Sequence, residues 1–196
     1  MSERAAPRRR RRDEVLQAAA DLFFEKGYEA TSTADIAERV GILRGSVYYY
    51  LDTKEALLFE LLEGVFAGFL SALEEIQAQD GNALEKLRRV VGHHVRYLAD
   101  NLVRTTLFLT ESRSLSIEHR AVVLEQEEEY RAALVDLIAS GQREGTIRGD
   151  VRPEIVAMAI VGAANWVHRW YWSGGDATAD EIARQFEIVL TEGLAP

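Results

Sequence analysis

The 196 residues are 47% hydrophobic and 28% charged, and none is cysteine. That length and apolar share suffice for a packed core, exclude a chain disordered by composition, and exclude disulfides and cysteine-ligated metals, which suits a reducing compartment. The net charge of −9 is unevenly laid out: residues 1–62 hold 10 basic and 11 acidic side chains, residues 63–196 hold 13 and 21, and six arginines crowd residues 1–12. An acidic body joined to a less acidic end with a basic tip is a pattern that permits nucleic-acid binding despite the overall sign.

The arginine-rich start lacks the apolar stretch of a secretory signal, and no run of 18 uninterrupted apolar residues predicts a membrane span, so a cytoplasmic protein is expected. Residues 1–11 read as a basic flexible arm, open to two readings: a strand of arginines that tracks phosphates or a minor groove, or a solvated tail. Residues 9–26 place Val15, Leu16, Ala19, Leu22 and Phe23 on one helical face, and Gly27 is the stop. Ser32 and Asp35 have capping-box spacing and open a helix through Arg39. Gly41 breaks the chain before a short helix over Arg44–Tyr50. Lys54 begins a long helix carrying Leu57, Leu58, Leu61, Leu62, Val65, Phe66, Phe69 and Leu73. Later helices are predicted near 83–100, 103–114, 118–144, 154–172 and 178–193, with a turn over 145–150 and Pro153 at a helix start. The fold class is therefore all-α, with about nine helices.

The stretch from Thr33 to Tyr50 reads as helix, tight turn, helix. Ile36, Ala37 and Val40 can pack against Val47, and Gly41 can take the positive φ that the turn needs. The second helix then shows Arg44, Gly45, Ser46, Tyr48 and Tyr49 to a major groove, where the N-terminal residues of such a helix meet base edges. Thr31, Ser32 and Thr33 sit at a helix start and suit phosphate contact, as does the charge of Lys54. These same residues also suit capping and surface roles.

The residues resemble the N-terminal domain of TetR-family transcriptional regulators. The resemblance runs through Ala18, Leu22, Phe23, Gly27 and Tyr28, then Ala30 to Ser32 and Asp35 to Ala37. It continues with Val40 to Ile42, Gly45 to Leu51, and Thr53 to Leu57, with Leu51 standing where the family has phenylalanine. It implies a helix-turn-helix DNA-binding domain over residues 12–56 and a helical ligand-binding and dimerisation domain over 57–196. It further implies a homodimer, a near-palindromic double-stranded DNA operator, and a ligand that moves the two reading heads apart. The segment Asn165-Trp166-Val167-His168-Arg169-Trp170-Tyr171, followed by Gly174-Gly175, is similar to members that govern acyl-CoA metabolism. Trp172 and Ser173 depart from that pattern. The resemblance thus implies a repressor induced by an acyl-CoA or a related apolar anion; a drug, lactone or other apolar inducer is the alternative.

The candidate ligand wall is Arg96, Tyr97, Phe108, Glu111, Arg113, Tyr130, Trp166 and Arg169. Aromatic walls suit an acyl chain and arginine matches phosphate. The late aromatic stripe also reads as core or dimer interface. The helices near 154–172 and 178–193, through Ala157, Ile160, Val161, Ala163, Ala164, Ile182, Phe186, Val189 and Leu190, are expected to pair two copies. His93 and His94 face different directions, so no metal site is expected. No cofactor fingerprint, nucleophile motif or catalytic constellation is present, so the chain is not expected to be an enzyme. An all-α ligand-binding protein or enzyme with no DNA role is the alternative from a different class, and a structural adaptor that binds neither DNA nor ligand is the third.

Overall fold

The computed structural model describes the backbone of residues 5–50 and 53–196, and the side chains of residues 9–47 and 53–196. Every regular element among them is helical, as expected: α1 Ala5–Lys26, α2 Thr33–Val40, α3 Arg44–Tyr50, α4 Lys54–Leu62 and α5 Val65–Gln77. Then come α6 Ala83–Asp100, α7 Leu102–Glu111, α8 Ile117–Glu144, α9 Pro153–Asn165 and α10 Ala179–Thr191. The expected long helix from Lys54 is interrupted after Leu62, where Gly64 takes a φ of +79°, so nine expected helices appear as ten segments. Residues expected as helix at 112–114 and 166–169 tighten into 3₁₀ turns. The arginine arm is, from Ala5 on, the first turns of α1. Arg10 and Arg11 pair with Glu14, and Arg12 pairs with Glu60.

Lys54–Gln77 is long and apolar enough to cross a membrane by length and composition alone, with a mean hydropathy of 1.8. Leu57, Leu58, Leu61, Leu62, Val65, Phe66, Phe69 and Leu73 are all buried in the fold, which accounts for their hydropathy.

The chain divides into two compact units. The first combines the chain up to Val65 with Val103–Val123. Its core is the inner face of α1 (Val15, Ala19, Leu22, Phe23), Ile36 and Ala37 of α2, Val47 of α3, and Leu57, Leu58 and Leu61 of α4. Each Val, Leu, Ile or Phe side chain among them removed from water contributes about 1.5–3 kcal/mol. Local sequence sets the helix ends. Ser32 Oγ accepts from Asp35 N–H while the Asp35 carboxylate accepts from Ser32 N–H, closing the predicted capping box. At the other end of α2, Gly41 sits at φ +70°, ψ +39°. Its N–H donates to Glu38 O, and Ile42 N–H donates to Ala37 O. That pair of bonds is a Schellman ending, which needs the left-handed conformation glycine adopts at little cost.

The second unit holds Phe66–Leu102 and Leu124–Pro196. Its central element is α6, capped by Asn82 and Glu85, whose Leu87, Val90, Val91, Val95 and Leu98 are buried. Val95 and Leu98 meet Ala164 and Val167 on one side and Ile182 and Ala183 of α10 on the other. Pro153 stands in the first turn of α9, where its missing N–H costs nothing.

Candidate nucleic-acid interface and effector site

In the first unit, α2, the Gly41 turn and α3 form the helix-turn-helix. Val47 is buried and anchors α3, while Arg44 and Gly45 are exposed and Ser46 is half-buried. The side chains of Tyr48 and Tyr49 lie outside the described residues. Leu43, just ahead of α3, is 81% exposed, and its carbonyl accepts the first bond of the helix from Ser46 N–H. Sequence reasoning passed over Leu43, although an apolar residue where helix starts prefer Ser, Thr, Asp or Asn is a visible signal.

Thr31, Ser32 and Thr33 do not stand alike. Ser32 is exposed and caps α2. Thr31 is buried, and its hydroxyl donates to Gly27 O at 2.9 Å and Leu22 O at 3.2 Å. Thr33 is buried as well. Lys54 is turned inward: Nζ donates to Tyr28 O at 2.9 Å and Thr31 O at 3.0 Å and lies 4.1 Å from the Tyr28 ring centroid. Lys54 therefore ties the first turn of α4 to the loop between α1 and α2, and one of its three donors is left over. Burial, foremost, holds the Tyr28 phenol above its ordinary pKa.

The neighbouring residue makes a second tie. Glu55 accepts from Ser116 N–H at 2.9 Å and from His119 Nδ1 at 2.8 Å, and the His119 ring stacks on Phe59 at 4.0 Å. The Ser116 N–H, then His119, holds the Glu55 carboxyl below the usual range.

The candidate effector residues scatter. Phe108, Glu111 and Arg113 belong to the first unit, with Phe108 buried and Arg113 exposed. The Glu111 carboxylate lies near Gly27. Arg96 is turned to α10, where it pairs with Glu187 at 3.4 Å and Asp180 at 3.8 Å. Gly92 permits this approach, because a methyl there would overlap the Glu187 carboxylate. Trp166 and Arg169 do meet, with the guanidinium 6.0 Å from the indole centroid, and both are exposed. Tyr97 and Tyr130 share one cluster around Phe69, at 4.4 and 5.4 Å between centroids. Phe66 joins it 5.9 Å from Tyr130, and Gly68 leaves room for the Tyr97 ring.

At the heart of that cluster is a group weighed in the sequence only as a metal ligand. His94 is 1% exposed, with Nδ1 3.0 Å from the Tyr130 hydroxyl and Nε2 3.0 Å from Asn165 Oδ1. Burial, above all, lowers the His94 pKa to about 4, so the ring is neutral at pH 7. Burial raises that of Tyr130. Among the described residues no group of three or more metal-ligating side chains is assembled.

The expected pairing face is redrawn only in part: Val189 is exposed and Val161, Ala163, Phe186 and Leu190 are half-buried, whereas the other four residues are internal. Ala157, Ile160 and Ala164 are buried against their own chain, as is Ile182. Large exposed apolar residues include Ile155 and Met158 of α9, Trp166 just after it, and Ile188 and Val189 of α10.

Residues 15–61 match the family described as bacterial regulatory proteins, tetR family, and residues 80–194 match the tetracyclin repressor-like C-terminal domain. The HTH-type transcriptional repressor KstR2 of Rhodococcus jostii is 32% identical over 187 residues, spanning 94% of this chain and 91% of that protein. The structure of the ketosteroid transcriptional regulator KstR2 of Mycobacterium tuberculosis superposes with a TM-score of 0.89 at 28% identity, over 95% of each chain. AibR in complex with isovaleryl coenzyme A and operator DNA superposes with a TM-score of 0.82 at 26% identity, over 92% of this chain and 98% of that one.

Proposed function

Since this chain belongs to the TetR family of transcriptional regulators, a family of DNA-binding proteins, we propose that it is a dimeric repressor whose inducer is an acyl thioester of coenzyme A. It acts by binding rather than catalysis, in the cytoplasm. Residues 12–56 read the operator and the later helices receive the inducer and pair two copies. The Trp166–Arg169 pair is the observation that carries the effector class: an exposed indole beside a guanidinium suits a nucleotide base and its phosphates. The aromatic cluster of Phe66, Phe69, Tyr97 and Tyr130 suits an acyl chain. AibR, a structural relative, carries isovaleryl coenzyme A. One observation favours an uncharged apolar inducer instead: the charge of Arg96 is already answered by Asp180 and Glu187.

Two heads of a dimer must enter successive major grooves about 34–36 Å apart, so an inducer that favours any other spacing releases the operator. With the chain's own upstream DNA, one member of an acyl-CoA series running from isovaleryl to palmitoyl and a steroid-derived thioester is expected to weaken operator binding about 5- to 150-fold at micromolar concentration. Coenzyme A alone and the free acids are expected to do much less. Release by an uncharged apolar compound and by no thioester would overturn the effector class.

At the head of α3 two local preferences are broken. Leu43 is exposed at a capping position, and Gly45 sits within a helix although a methyl there would meet nothing within 4 Å. Helical glycine costs about 0.5–1 kcal/mol relative to alanine, so its reason lies outside the chain, in close approach to DNA. Leu43 suits the 5-methyl group of thymine. Replacing single operator thymines by deoxyuridine should weaken the wild type about fourfold at one position per half-site, the worth of one buried methyl. Leu43→Ala should be indifferent at that position; an equal loss in the variant would remove Leu43 from base reading.

A further inference from the structure

Tyr130, His94 and Asn165 form a chain of hydrogen bonds from the interior of the second unit to the end of α9. Its direction can be deduced. Tyr130 is 2% exposed, and His94 Nδ1 is the acceptor its hydroxyl reaches. A buried O–H left without an acceptor carries a desolvation penalty, so Tyr130 donates to Nδ1. The neutral ring then holds its proton on Nε2, and Nε2–H donates to Asn165 Oδ1. The backbone carbonyl of Asn165 is engaged too, accepting from His168 Nδ1–H at 2.6 Å. Both oxygens of Asn165 are thereby taken up as acceptors. With Oδ1 engaged by His94, the half-buried side chain has its two Nδ2 protons left to donate, directly before the exposed Trp166 and one turn from Arg169.

Such a fixed donor selects for an acceptor. The geometry points to Asn165 as the residue that binds the inducer's carbonyl: its Nδ2, aimed by the Tyr130–His94 chain, donates to the thioester oxygen of an acyl-CoA whose coenzyme portion meets the exposed Trp166–Arg169 pair. This rests on the acyl-CoA reading above. Phe69, 4.4 Å from His94 between ring centroids, and Phe66 lie on the apolar side of the chain, where an acyl group is at home. His94 and the Tyr130 hydroxyl are positioning groups: they act through Asn165, holding its amide in one of its two orientations, and do not touch the thioester.

The test uses the full-length protein and three matched pairs: isovaleryl-, octanoyl- and palmitoyl-CoA, each with the S-alkyl thioether that has CH₂ in place of the carbonyl. Calorimetric titration is expected to show the wild type binding at least one thioester about tenfold tighter than its thioether, the worth of one well-placed hydrogen bond. Asn165→Ala should bring that ratio to about one. Asn165→Asp is isosteric and still accepts from His94, but offers no donor, so it should lose the preference while keeping the fold. Tyr130→Phe leaves Asn165 chemically intact and should lower the ratio by freeing the ring and amide to turn. A preference unchanged in Asn165→Ala and Asn165→Asp, or a wild-type ratio near one, overturns the assignment alone. Failure of the wild type to bind any of the six compounds overturns the acyl-CoA reading and this assignment with it.

Discussion

Lys54→Ala is expected to weaken operator binding about thirtyfold while leaving the salt dependence of the remaining binding nearly unchanged. Lysine at the start of the helix after a recognition helix suggests a phosphate contact, and the structure spends most of that ammonium elsewhere. Two of its protons go to Tyr28 O and Thr31 O, and the charge rests over the Tyr28 ring. Hydrogen bonds to a charged group contribute about 1.5–3 kcal/mol each, less what water recovers at a half-buried site. A net loss of about 2 kcal/mol corresponds to about thirtyfold when the loop before α2 must be ordered for binding. A lysine on a phosphate behaves differently, because its removal lowers the slope of log affinity against log salt by about 0.9. Fluorescence anisotropy between 50 and 200 mM salt therefore separates the two roles. A slope reduced by a full phosphate contact, with thermal stability intact, would return Lys54 to the DNA.

The second large effect is on stability. The wild type should lose on the order of 3 kcal/mol of unfolding free energy from His94 alone as pH falls from about 6.5 to about 4. The sign follows from which state takes the proton. The folded chain keeps His94 neutral down to about 4, chiefly because it is buried. The unfolded chain protonates near 6.5, so in that window it holds more protons and is favoured. The stability is whole above the unfolded pKa and gone below the folded one. His93, also lowered by burial and by Arg96, adds a contribution of the same sense. Glu55 and Asp35, lowered by hydrogen bonds from Ser116 and Ser32 respectively, add acid losses at lower pH. His94→Gln removes one titration and leaves the others. Urea unfolding at pH 7 and pH 5 should show the wild type losing about 2 kcal/mol more than the variant over that interval. Equal losses would mean that His94 is not buried neutral.

The parts of the fold legible in the sequence are those whose causes are local. Ser32 and Asp35, Gly41 and Pro153 each act within one helical turn, and each predicted boundary is found there. The residues misjudged are those whose partners are distant in sequence. Thr31 is a hydroxyl at a helix start, and only its bonds to Gly27 O and Leu22 O show that it is internal. Lys54 reaches back across more than twenty residues. On α9 both faces are apolar, so periodicity cannot tell the inner Ala157, Ile160 and Ala164 from the outer Ile155 and Met158. Tyr130, His94 and Asn165 come from three helices and have no shared local pattern. One trace was available: His94 lies three and four residues from Val91, Val90 and Leu98 on the buried stripe of α6, an unusual place for an imidazole unless it is partnered.

The most direct test of a DNA-reading dimer is selection of bound oligonucleotides from a random pool by the full-length protein at low salt. A palindrome should emerge whose half-site centres lie about one helical turn, or a small multiple of it, apart. Substituting Arg44 should change the bases enriched within each half-site. Enrichment of no sequence, or of a single unrepeated site bound by one chain, would contradict the dimeric operator-binding protein described above.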